Sequence, residues 1–186
     1  MANLIKCKAC GYVTNEGSVG AICPACGVPA KMFEPYTDPV SEKRRRMLGL
    51  HIHPVMVHFP QASAFSLFLL ALLAFFTPPA IKIALLDTIK VISFFLPLFI
   101  IISFLTGLFD GKIRFRKVTT PFLKIKMMIG GFFLLVSIAL AALAFSQRFP
   151  VSPTHEIFAF LTLLAAGCGI SLGFIGGKLL VAKFPG

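Results

Sequence analysis

Two short stretches of the 186-residue chain carry residue types that do metal chemistry. Cys7-Lys8-Ala9-Cys10 and Cys23-Pro24-Ala25-Cys26 each separate two cysteines by two residues. That spacing allows a tight turn, a knuckle, to aim both thiolates at one ion, and two facing knuckles close a tetrahedral sulfur cage. Gly11 and Gly27 each follow the second cysteine of a knuckle, where a positive φ is often required. A cage of this kind suits zinc and a single iron equally by geometry, and it leaves no coordination position for a substrate. It therefore fits an electron carrier or a structural zinc ribbon, not a catalyst. A unit of about 35 residues buries too little apolar surface to fold unaided, so the ion must supply much of its folding energy.

The second stretch is His51-Ile52-His53-Pro54-Val55-Met56-Val57-His58-Phe59-Pro60. It stands at the entrance to the first long apolar run, where ionisable groups are costly and face a bundle interior or the interface. His53, His58 and Asp110 are expected on one side of the membrane. They form a candidate second redox or quinone site, holding haem b or a metal through one histidine, or a quinone head through hydrogen bonds. The structural alternative has His58 bonding across helices and His53 in the headgroup layer. His155 opens the fourth span on the other face, so a haem shared between His58 and His155 is not expected. Gln61, Ser63 and Ser66 could add a polar stripe to the first span.

The elements that must position these groups follow from composition. Hydrophobic residues make up 57% of the chain and charged residues only 13%, the latter concentrated in the first fifty positions and at the ends of apolar runs. A span needs about 20 apolar residues. Four stretches qualify, roughly 54–76, 88–109 (with Pro97 as an expected kink), 122–145 and 154–181. The chain thus reads as a metal-binding domain over 1–36, a basic juxtamembrane linker over 37–50 and a four-helix transmembrane domain over 51–186. The fold class is mainly α, a four-helix transmembrane bundle with a small N-terminal knuckle domain of short strands and loops.

The net charge of +11 does not point to nucleic acid, because the basic residues flank apolar runs. Of the eighteen Lys and Arg residues, all but Lys82, Lys90 and Arg148 fall on one side of the four spans. Both termini are therefore expected in the cytoplasm, with the chain in a bacterial-type inner membrane. The N-terminus has no apolar segment of secretory type, so the cysteines are expected on the reducing side and as ligands rather than disulfides. Gly169, Gly173 and Gly177 have small-xxx-small spacing and are read as intramolecular packing before a homo-oligomer seam. Cys168 reads as a small apolar side chain. No nucleophile triad, phosphate loop or carboxylate pair emerges.

Two resemblances add to this. Cys-Lys-Ala-Cys-Gly-Tyr-Val, followed by Ile-Cys-Pro-Ala-Cys-Gly-Val-Pro-Ala-Lys-Met-Phe, resembles the rubredoxin-like domain of rubrerythrins over roughly 4–36. The resemblance implies one iron held by Cys7, Cys10, Cys23 and Cys26, with zinc as the alternative because the loop between the knuckles is short. The His-Pro-x-x-Val-His-Phe-Pro run, together with Gly107-Leu108-Phe109-Asp110-Gly111, resembles the four-helix bacterial membrane family known as domain of unknown function 2231. Where that family often has a histidine at the start of the third helix, this chain has Lys124-Ile125-Lys126. The function expected is one-electron transfer between a soluble donor, such as a rubredoxin reductase or a ferredoxin-like protein, and a membrane redox partner. The alternative is a zinc-ribbon scaffold or transporter subunit that docks a protein.

Overall fold

The computed structural model describes residues 4–37 and 40–180. The chain forms two compact units that part between Lys43 and Arg44.

The first unit is built on a three-stranded antiparallel sheet in the order β2-β1-β3, with β1 Leu4–Cys7, β2 Val13–Asn15 and β3 Phe33–Pro35. Ile5 stands opposite Thr14 on one side and Pro35 on the other, so β1 is the central strand. Strands this short gain little from pairing alone. Their role is to deliver Cys7 at the end of β1 into the first knuckle. The second knuckle is fixed by the Ile22–Pro29 bridge.

The second unit is helical. A short helix α1, Glu42–Gly49, begins at the junction of the units and leads through Leu50 and His51 into α2, Ile52–Met56, and α3, His58–Phe76. Then come α4, Pro79–Phe115, α5, Pro121–Ala144, and α6, Thr154–Leu180. Successive long helices pack side by side and α6 closes on α3, giving an up-and-down four-helix bundle, with α2 laid against α4. Pro79 and Pro121 sit in the first turns of α4 and α5, where a missing N–H costs nothing.

Each of the four long helices is long and apolar enough to cross a membrane. Their outer faces support this: Leu67, Leu96 and Phe133 are buried, yet Leu69, Leu105 and Phe132 are exposed on the same helices. A helix apolar all round needs an apolar surrounding. The chain is therefore a multi-pass membrane protein. The core runs along the bundle axis through Ala64, Leu67, Ala71, Leu96, Leu140, Phe158 and Ala165. Ser137 and Thr162, buried within it, donate to Leu134 O and Ala159 O of their own helices, at 2.7 and 2.6 Å.

The helix α4 has 37 residues and continues unbroken through Pro97, nine residues earlier in its start than the apolar run alone marks. The added turns carry Lys82 and Asp87, which lower hydropathy without lowering helix propensity. At its far end Arg44 of α1 donates to Ile113 O at 2.5 Å and to Arg114 O at 2.7 Å. Those carbonyls have no intrahelical donor, and a guanidinium also complements the negative end of the helix dipole.

Candidate metal centre and cavity

Both knuckles fold in the same way. The Gly11 amide donates to Cys7 O and the Gly27 amide to Cys23 O, each at 2.9 Å. The Cys7 amide in turn donates to Tyr12 O at 2.8 Å, and the Cys23 amide to Val28 O at 2.7 Å. Both turns pass through the left-handed region, at φ +78° for Gly11 and +77° for Gly27, as expected of glycine there.

This repetition brings the four sulfurs together. Cys7 Sγ lies 3.9 Å from Cys26 Sγ, Cys10 Sγ lies 3.9 Å from Cys23 Sγ, and all four lie within 4.8 Å of one another. A tetrahedron with metal–sulfur bonds of about 2.3 Å has sulfur–sulfur edges of about 3.8 Å. The cluster fits one ion in size and donor type, and the sulfurs are too far apart for disulfides. Cys7 and Cys23 are buried while Cys10 and Cys26 are exposed, so one edge of the cage meets solvent.

The thiols also act on one another's protonation. The Cys10 amide stabilises the Cys7 thiolate most, with further help from the Ala9 amide and the neighbouring thiols, and burial opposes it; the net effect brings Cys7 down to about 7. The Val28 amide favours the Cys26 thiolate, but the Cys10, Cys23 and Cys7 thiols together with burial outweigh it and push Cys26 up to about 12. Such a set gives up its first proton readily and its last with difficulty, unless a cation replaces them.

In the bundle the structure brings His53, His58 and Asp110 to one cavity of about 330 Å³. His53 Nδ1 lies 3.4 Å from Thr106 Oγ1. Asp110 Oδ2 accepts from Arg114 Nε at 3.3 Å. Gln61 joins them and donates from Nε2 to Gly169 O at 3.0 Å. Arg114 and Lys126 complete the charged lining; the sequence marks Lys126 only as part of the Lys124-Ile125-Lys126 run and does not mark Arg114. Among the described residues, only the four cysteines converge as three or more Cys, His, Asp or Glu ligands would around an ion. His155 stands elsewhere, stacked on Phe75 with ring centres 4.2 Å apart and with Nε2 3.2 Å from Ala71 O. It is a packing residue.

Glycines set the fit around this cavity. A Cβ at Gly107 would lie 2.9 Å from His53 Cε1, and one at Gly173 would lie 3.0 Å from Gln61 Nε2. Gly107→Val is therefore expected to destabilise the bundle by about 1–3 kcal/mol through overpacking. Thermal unfolding in detergent would register this, with Gly131→Ala, where a Cβ meets nothing within 4 Å, as the neutral control.

Residues 6–34 match the family described as "Rubrerythrin, rubredoxin-like domain". The match contains all four cysteines and ends before the helices begin. Neither the curated proteins nor the solved structures give a match to the chain.

Proposed function

We propose that the protein is a membrane-anchored one-electron carrier whose cysteine cage holds iron. The observation that carries the reading is the cage itself: four thiolates at tetrahedral spacing, closed to substrate, within a segment similar to the rubredoxin-like domain. Bound there, iron would supply a ferrous–ferric couple. Cys7 and Cys23, buried, hold the cage rigid, so a change of charge meets little rearrangement. Cys10 and Cys26, exposed, form the edge that a soluble donor can approach. The bias of Lys and Arg supports a cytoplasmic location for this unit, and hence a donor such as a rubredoxin reductase or a ferredoxin-like protein. The likeness of the bundle to the domain of unknown function 2231 rests on its histidine–proline opening and the glycine–aspartate run.

The test is metal analysis with an optical spectrum of the protein purified from its native host. One iron per chain is expected, with visible thiolate-to-iron charge-transfer bands that bleach on dithionite. A colourless protein with one zinc per chain would overturn the carrier reading and leave the zinc-ribbon scaffold. In that case Cys7→Ser would abolish capture of a protein partner with no redox consequence.

A further inference from the structure

Charge is divided unevenly between the two ends of the bundle. At the end where α1 meets α4, residues 44–50 and 110–126 hold nine Lys and Arg and one acid, Asp110, which is already paired with Arg114. At the other end, residues 77–90 and 145–156 hold only Lys82, Lys90 and Arg148, set against Asp87 and Glu156.

The fold joins the two basic groups into one corner. Arg44 donates to the carbonyls of Ile113 and Arg114, 69 and 70 positions further along the chain. Leu48 of α1 is buried, and α2 packs on α4. Arg45 and Arg46 follow Arg44 directly, while Lys112, Arg116 and Lys117 are exposed and stand within four residues of the carbonyls it holds.

The neighbours of these cations select what covers them. Leu50, Ile52 and Val55, directly after the arginines, are 65%, 43% and 54% exposed, and Phe122 and Ile125 flank Lys124 at 47% and 45%. A lipid leaflet meets both kinds of group, with phosphates for the cations and acyl chains for the apolar side chains. A nucleic acid or an acidic protein arriving from water would satisfy the charges and leave the apolar side chains wet. Membrane-crossing helices end at this corner, so headgroups already stand at its depth. A zwitterionic head brings its own ammonium into a positive field, whereas an anionic head does not.

We propose that this corner binds anionic phospholipid. The headgroup phosphates lie among the cations of α1 and of the α4–α5 connection, and the acyl chains run beside Leu50, Ile52 and Val55. The claim is independent of which metal the cysteines hold.

The full chain, freed of native lipid in detergent, would be titrated with dioleoylphosphatidylglycerol and, separately, with dioleoylphosphatidylcholine, and retained lipid counted by native mass spectrometry. Phosphatidylglycerol is expected to bind at least about tenfold more tightly, and to lose about tenfold or more in the joint variant Lys112→Gln, Arg116→Gln, Lys117→Gln. The matched variant at the other end, Lys82→Gln, Lys90→Gln, Arg148→Gln, should keep the full preference. A phosphatidylglycerol with a photoreactive group near its head should label peptides containing residues 44–56 or 112–125 of the unaltered protein, which keeps the test open if a variant misfolds. Cys23→Ser should retain the preference, so that failure of the metal reading and failure of this one are separable. Equal affinity for the two lipids, labelling at the other end, or full preference in the folded joint variant would each overturn the proposal. So would displacement of phosphatidylglycerol by millimolar inorganic phosphate, which would mark a small-anion site, or by an equimolar oligonucleotide, which would mark a nucleic-acid surface.

Discussion

Replacing Cys23 with Ser is expected to strip the metal from the protein and unfold the N-terminal unit while the helical bundle stays intact. Cys23 is almost fully buried, at 1% exposure, and its sulfur stands 3.9 Å from that of Cys10 across the cage. A hydroxyl there is a poor ligand and leaves a three-sulfur site. The three strands hold four, three and three residues, and among the described residues the buried apolar cluster belongs to the helical bundle. A core of that size contributes at most about 3–5 kcal/mol, against about 10–16 kcal/mol of apparent binding energy for a structural ion in small domains. The unit should therefore behave as folded when loaded and unfolded when empty. Metal content should fall to near zero, and protease should cut rapidly within residues 8–35, while far-ultraviolet helicity is retained. A chelator acting on the unaltered protein should reproduce the pattern. Cys168→Ser, in α6 and remote from the other cysteines in sequence, should keep its metal in full. Full metal occupancy and protease resistance in Cys23→Ser would refute the account.

Phe158→Ala should be the most damaging single truncation in the bundle, at roughly 2–3 kcal/mol. Its ring is fully buried and packs against Phe149, with centres 4.9 Å apart. In a water-soluble core the same change costs about 3–5 kcal/mol, part of it the loss of transfer out of water. Inside a bilayer the unfolded reference already lies in hydrocarbon, so that part disappears and the unfilled volume remains. Chemical unfolding in mixed micelles would measure it. A cost below about 1 kcal/mol would mean the site collapses around the missing ring.

Most of this architecture was legible from the residues because the physics behind it is local. Two CxxC pairs with trailing glycines dictate two knuckles whatever surrounds them, and the structure repeats the same hydrogen bonds at Cys7 and Cys23. Apolar runs of about 20 residues dictate spans, though not their ends. The first half of α4's extra length, from Pro79 to Asp87, was missed because hydropathy reports solvent preference and helices continue past it. The cavity was only half legible. Its histidines and Asp110 were marked by type, but Lys126 looked like one more residue of a basic connection. Only the packing of α5 against α4 and α6 turns it inward beside Gly176. The glycines of α6 were legible as a close-packing stripe; that they accommodate Gln61 of α3 depends on tertiary register, which no single helix encodes.

The length of α4 bears on where its polar end lies in the bilayer. Thirty-seven residues make a rod about 55 Å long, set against a hydrocarbon layer of about 30 Å, so a surplus of about 25 Å must tilt or protrude. The charges at its two ends, Lys82 and Asp87 at one and Asp110, Lys112 and Arg114 at the other, favour both ends lying at headgroup depth or beyond. The polar corner containing Asp110 and Lys126 then sits where acyl chains give way to water. That corner is then bordered by the leaflet on one side and by the aqueous phase on the other.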